Sequence, residues 1–355
     1  MPRSSTGRGS RTGVGDVNLE TLWFVLYVGI IAGYVILDGF DLGVGILSPF
    51  VARTDRDHRM LLNAIGPVWD GNEVWLVLGG GALFAAFPVV YASLFSGFYL
   101  AMMLVLLVLI LRTIAIEFRS HRESPRWRAT WDWFFFASSL GITLLLGVAL
   151  GNVIRGIPLD SSGQVTLKLV DLLNPYSLAV GVTAVAMLGL HGGIFLTLKV
   201  DGELRGRIER LVPRLMVAFF VLMTVLVVWT LLLRTEVTAT YRDRVWIAAF
   251  PVLALVSTVV AWRLIRAGRF LPAFGASALT IALLMATVAA GMYPVMLPSS
   301  IDSSYDLTVH NSASAPETLT VMTVIAVIGI PFVLLYTAGV YYFFRGRVVL
   351  DDHGY

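Results

Sequence analysis

Hydrophobic and polar positions segregate along this chain on a scale much longer than a helical turn. Apolar runs of roughly 20 residues or more, the length a bilayer crossing requires, occupy 20–47, 66–87, 90–116, 131–152, 173–198, 211–233, 245–265, 272–296 and 319–344. The polar stretches between them are short, the longest being 48–65, 153–172 and 297–318. The pattern predicts an all-α polytopic membrane protein with nine transmembrane helices. One integral membrane domain covers 19–345, between a Ser/Gly-rich tail at 1–18 and a short tail at 346–355. There is no room for a soluble domain, and no internal repeat stands out.

Composition agrees with a membrane setting. The 355 residues are 57% hydrophobic and 14% charged, against about 25% charged in a soluble domain, and the mean hydropathy is +0.81. Cysteine is absent, which excludes disulfides, thiol nucleophiles, iron–sulfur ligation by Cys and covalently attached c-type haem. A pI near 9.2 would suggest nucleic acid in a soluble chain. In a polytopic one, the placement of Lys and Arg is what matters, and no nucleic-acid partner is expected.

With nine spans the two termini lie on opposite sides. Segments 48–65, 112–130, 199–214, 263–269 and the C-terminal tail carry three, five, five, three and two Lys or Arg, 18 of the 26. The N-terminal tail and the loops at 153–172 and 234–244 carry the other eight. The positive-inside rule therefore puts the N-terminus outside and the C-terminus in the cytoplasm. Arg3, Arg8 and Arg11 of the tail run against that rule. The tail is expected to be disordered. It is not a cleavable signal sequence, because the apolar run after it is too long, carries acids and lacks a small-residue cleavage pattern.

Ionisable groups at membrane depth are costly and functional by default. Asp38 and Asp41 in "ILDGFDLGVG" lie about 60° apart round a helix and share a face. Towards the C-terminal end of the first span the helix dipole disfavours negative charge, so something must compensate them. The acids form either an interfacial polar cluster satisfied by backbone N–H groups or Arg from the next loop, or a proton-handling or inter-helix site. Asp70 and Glu73 in "GPVWDGNEVW" enter the membrane from the same side, so four carboxyls converge. D-G-N-E has the spacing of a capping box. The alternative is a helix starting at Pro67, which buries both acids within it.

Small residues recur four apart at Gly29/Gly33, Gly39/Gly43, Gly147/Gly151 and Gly189/Gly193, with a triple at 79–81; close helix packing is the expected reason. Trp23, Trp69, Trp127, Trp131 and Trp133 read as interfacial belt residues. Trp75, about 140° from Asp70 round the helix, faces another neighbour or lipid. Of five histidines only His191 lies at membrane depth, and it reads as a packing or hydrogen-bonding residue rather than a haem ligand. No hydrolytic or metal-binding motif is present, so no metal site is expected.

The stretches "DGFDLGVGIL", "NAIGPVWDGNEVWLVLGGGALFAAFPVVYASLFSGFYLAMML", "WRATWDW", "LLNPYSL" and "YPVMLPSSIDSSYDLTVHNSAS" resemble subunit II of the cytochrome bd quinol oxidases nearly from end to end, apart from the basic tail before Val17. The resemblance implies a bacterial cytoplasmic-membrane subunit of two four-helix bundles plus one peripheral helix. Its partner would be a similarly folded subunit I holding two haem b, one haem d and the quinol site, so that this chain binds no haem firmly itself. Such a complex oxidises quinol outside and reduces oxygen with cytoplasmic protons. By motif, Asp70 resembles part of a proton path from the cytoplasm and Trp75 the mouth of an oxygen conduit. Asp38, Asp41 and Glu73 match acids of the same region, Glu73 at a place where the family varies between Glu and Gln. Ubiquinol or menaquinol, a structural quinone, small single-helix accessory subunits and specific membrane lipid all stay open. Two rivals remain: a secondary transporter, for which no inverted repeat is found, and a cytochrome b anchor, for which His191 alone is too little.

Overall fold

A computed structural model of the chain describes residues 18–349. The basic tail before Asn18 and the end of the C-terminal tail lie outside the described residues. The helices are α1 (Leu19–Val51), α2 (Asp55–Ile65), α3 (Trp69–Ala86), α4 (Pro88–Gly97), α5 (Tyr99–Phe118), α6 (Pro125–Arg155), α7 (Leu169–Leu172), α8 (Pro175–Lys199), α9 (Gly202–Leu233), α10 (Thr235–Asp243), α11 (Ala249–Arg266), α12 (Phe270–Met292) and α13 (Pro316–Phe343). A small antiparallel pair, β1 (Val295–Leu297) and β2 (Leu307–Thr308), sits in the loop before α13.

Eight of these helices, α1, α5, α6, α8, α9, α11, α12 and α13, are long and apolar enough to cross a membrane, and the chain is a multi-pass membrane protein. The ninth apolar run, 66–87, forms α3, whose 18 residues reach about 27 Å but open on a polar turn. The run at 90–116 is two helices, broken at Phe98. Nothing in its hydrophobicity marks that break.

The most enclosed helix is α8, which packs against α6, α9 and α1. Glycine permits this. A Cβ on Gly43 of α1 would stand 2.0 Å from the Leu188 carbonyl oxygen of α8, and one on Gly147 of α6 would stand 2.7 Å from the Cα of Gly181. Gly80 and Gly81, by contrast, have open space around them and line a cleft, so packing does not explain the whole glycine triple. The belt assignment also fails for two tryptophans. Trp23 is buried and donates its indole N–H to the Leu319 carbonyl at 3.2 Å and to Thr323 Oγ1 at 3.0 Å on α13, and Trp69 is buried in the main core.

At one end of the molecule, ion pairs tie α2 to its neighbours. Arg119 donates to Asp132 at 2.6 Å and to Asp55 at 2.9 Å, Arg128 to Asp55 at 2.9 Å, and Arg207 to Asp57 at 2.6 Å. At the other end, the loop before α13 closes over α3. The Ser314 N–H donates to the Ala86 carbonyl and its hydroxyl to the Ala85 carbonyl, satisfying two of the last acceptors of that helix.

Candidate functional site

The site is built where α1, α3, α5 and α13 meet. Asp38 and Asp41, one turn apart on α1, are both fully buried. Because α1 runs on through Pro49 to Val51, Asp38 lies 13 residues from the helix end, about 20 Å inside it. The helix dipole acts only within the last turn, so loss of hydration, rather than the dipole, is what must be compensated.

Arg112 of α5 does this for Asp38. Its Nη2 donates to Oδ1 at 2.6 Å and its Nη1 to Oδ2 at 3.0 Å, a two-pronged pair with both partners fully buried. Nη1 also stands 3.7 Å from Oε2 of Glu73, which is half-buried on α3. Asp41 is held differently. Asn72 Nδ2 donates to its Oδ2 at 2.7 Å and to the Leu37 carbonyl at 3.2 Å, while Asn72 Oδ1 accepts from the Tyr341 hydroxyl of α13 at 2.9 Å. Asp41 forms no salt bridge among the described residues, and its Oδ1 has no hydrogen-bond partner. The Tyr34 hydroxyl lies beside Asp38 without completing a hydrogen bond of ordinary geometry. One guanidinium thus faces three carboxyl groups, Asp38, Asp41 and Glu73.

Asp70 does not join them directly. It is exposed at the second position of α3, one turn before Glu73, on which it acts through its charge. The capping box that the D-G-N-E spacing allows is absent, because the N-cap is Val68 and no side chain bonds there. The start at Pro67 is also not seen. Residues 66–68 form a turn that closes α2, with the Gly66 N–H on the Leu62 carbonyl and the Val68 N–H on that of Ile65, so the helix begins two residues later. Both acids lie within α3, but Asp70 is not buried.

Trp75 packs on α1. A Cβ on Gly33 would stand 2.7 Å from its ring, so this glycine makes the seat. Beside it, between α3 and α5 and floored by α1, α6 and α8, runs an apolar cleft of about 890 Å³ whose lining includes Tyr34, Val77, Gly80, Leu106 and Leu188. Trp75 borders this cleft through its chain neighbours Leu76 and Val77 and does not itself line it.

His191 is fully buried. Its Nε2 meets the Ile36 carbonyl at 3.1 Å and its Nδ1 meets Ser277 Oγ at 2.7 Å. A carbonyl only accepts, so Nε2 carries the hydrogen and Nδ1 is the bare nitrogen; it faces the Ser277 hydroxyl, whose hydrogen is shared with the Phe274 carbonyl at 2.8 Å. Both ring nitrogens lie against protein atoms and the ring is fully buried, so no face of it is open to a haem iron. Among the described residues no group of three His, Asp or Glu side chains could hold a metal ion.

The sequence profile of the family described as cytochrome bd terminal oxidase subunit II matches residues 19–344. The chain belongs to this family. It is 35% identical to the cytochrome bd-I ubiquinol oxidase subunit 2 of Escherichia coli K12, covering 94% of this chain and 96% of that one. It is 36% identical to the cytochrome bd ubiquinol oxidase subunit 2 of Bacillus subtilis 168, over 93% and 97%. Its fold matches a chain of the bd oxidase of Geobacillus thermodenitrificans with a TM-score of 0.75 at 19% identity, covering 93% of this chain and 98% of that one.

Membership in the cytochrome bd subunit II family sets aside the transporter and cytochrome b anchor readings. Arg112, Asn72, Tyr34 and Tyr341 of this subunit II are members of the cluster that sequence analysis did not single out. By position Arg112 falls at the start of the basic segment 112–130, although "RTIAIEF" continues the apolar run beyond it. A cation inside that run, with two uncompensated acids elsewhere in the membrane, was the available signal.

Proposed function

We propose that the chain is the second subunit of a quinol oxidase in a bacterial cytoplasmic membrane, seated beside a haem-bearing subunit I and supplying that partner with a proton path and an oxygen route. One observation carries the proton reading: a buried polar cluster, Asp38–Arg112–Glu73 joined to Asp41–Asn72–Tyr341, runs through otherwise apolar helices towards exposed Asp70. Asp38 is committed to Arg112, so it acts as an anchor. Asp41 keeps a free oxygen and takes the part of the proton carrier, with Asp70 at the entrance and Glu73 between. The apolar cleft beside α3 supports the oxygen route, because oxygen partitions into apolar space.

The surroundings of His191 favour the partner as the holder of haem. With both His191 nitrogens engaged, the haems belong in subunit I, where they reduce oxygen with electrons from quinol. The relatives' description as ubiquinol oxidase subunits supports quinol as the donor. The apolar length of α3 supports it as the ninth span; α1 packs with α3 and α6, α5 with α6, and α11 with α12, while α8 joins α1 and α6 to α9 and α13 sits at the side, touching α1 and α3. The Lys and Arg asymmetry supports the N-terminus outside and the C-terminus inside, and it survives the removal of Arg112 from the loop count.

Visible spectroscopy tests the reading. Purified with its native partner, the complex should show haem b and haem d bands, while the isolated chain should hold no stoichiometric haem. Haem retained by the isolated chain overturns it.

A further inference from the structure

At the end of the molecule opposite Asp70, the C-termini of α6 and α9 meet the loops around 156–167 and 299–300 at a polar cavity of about 570 Å³. Arg155, the last residue of α6, and Arg234, the C-cap of α9, both line it, with Thr166, Ser299, Ser300 and Asp171. The loops at this end hold few cations, five Lys and Arg over 153–172, 234–244 and 297–318, yet two of them meet here.

The cavity is firmly walled. Arg234 Nη1 donates to the Arg155 carbonyl at 2.8 Å and would stand 3.0 Å from a Cβ on Gly156, a residue with φ +92°. The guanidinium thus occupies the space that a side chain at 156 would take. The Ile157 N–H bonds the Pro298 carbonyl, the Ser300 N–H bonds that of Ile157, and the Ser299 hydroxyl bonds that of Leu159 at 2.7 Å. Arg155 is exposed and forms no salt bridge among the described residues. The one carboxylate among the lining side chains, Asp171, has Oδ2 taken by the Lys168 N–H at 2.9 Å, and Asp306 behind the wall accepts from the Ser299 N–H at 2.7 Å, so the exposed Arg155 guanidinium is the cation presented to an anion. On the rim Leu233 is exposed, and the apolar surface continues along α9 through Leu232 and Val228.

We infer that this cavity seats the phosphate of a membrane phospholipid, with the acyl chains laid on the exposed face of α9. Guanidinium groups match phosphate in charge and in two-pronged geometry, and the neighbouring apolar face separates a lipid from a free anion as occupant.

Native mass spectrometry of the assembled complex, stripped of lipid and titrated with phosphatidylglycerol, tests this. One tight adduct is expected, and Arg155→Gln should weaken it about tenfold, with partial recovery in Arg155→Lys. Arg234→Gln should also weaken it. Because Arg234 braces the loop, Arg155→Gln is the variant that decides. Arg242→Gln, an exposed neighbour outside the cavity, should bind like the parent. Diacylglycerol, which lacks the phosphate, should form no such adduct. Unchanged lipid affinity in Arg155→Gln overturns the proposal, as does displacement of the lipid by millimolar inorganic phosphate, which would make the occupant a free anion.

Discussion

Asp38 and Asp41 lie one helical turn apart, equally buried, and are held in opposite ways. Asp38 is closed: both oxygens meet the guanidinium of Arg112 on α5. Asp41 is open: one oxygen meets the neutral amide of Asn72 and the other meets nothing. The difference teaches that depth in the membrane does not by itself assign a role. A carboxyl locked to a cation joins helices, whereas one beside an amide can take up and release a proton without breaking a salt bridge.

The largest effect should follow from opening the closed acid. Arg112→Leu strands Asp38 in the interior, and breaking a buried pair from one side costs about 3–5 kcal/mol. The assembled complex should vanish from membranes, read as loss of the haem bands. Arg112→Leu combined with Asp38→Leu should restore assembly, since apolar replacement of a whole pair is tolerated. If the single variant accumulates like the parent, Asp38 is no anchor and the contrast fails.

Next comes the open acid. Asp41→Asn preserves an acceptor for Asn72 but cannot carry a proton, so the complex should assemble with full haem and lose oxygen consumption to about a hundredth or less, within the range for losing a proton-transfer group. Asp70→Asn should behave alike, with partial recovery in Asp70→Glu. Since Asp70 caps nothing, helix stability does not confuse the result. Normal oxygen uptake in an assembled Asp70→Asn complex would remove that residue from the path.

A smaller effect is expected at Trp75, away from both acids. Trp75→Ala frees the seat on Gly33 and can cost several kcal/mol if the space stays unfilled, so assembly must be verified first. In assembled Trp75→Ala and Trp75→Ile, the apparent KM for oxygen should shift before the maximal rate does; an unchanged KM in both would detach Trp75 from the oxygen route. The smallest effect, none, is expected on deleting residues 2–16. That deletion spares Asn18, whose side chain caps α1 by accepting the Thr21 N–H at 3.1 Å. Loss of assembly would show that the basic tail contributes.

The membrane class and most of the helices were legible because apolar length is a local property of the chain. What escaped depends on partners distant in sequence. Arg112 meets Asp38 across 74 residues, and Tyr341 meets Asn72 across 269, so no local window displays either contact. Trp23 looked interfacial until α13 supplied its acceptors. The break at Phe98 passed unseen because an apolar residue interrupts an apolar run. Asp70 and Glu73 were visible as acids at a helix start, but their unequal burial follows from the turn at 66–68, which sets where α3 begins.

The Asp38–Arg112 pair also imposes an order on synthesis. Each charge on its own raises the insertion free energy of its helix by about 2.5–3.5 kcal/mol at the centre of a span. Asp38 leaves the ribosome 74 residues before Arg112, which at 5–20 residues per second is about 4 to 15 s. Through that interval the first helix carries an uncompensated acid. It must wait near the insertion machinery or shield the acid with water until the fifth helix arrives, so folding of this subunit is set by the timing of translation as well as by the finished packing.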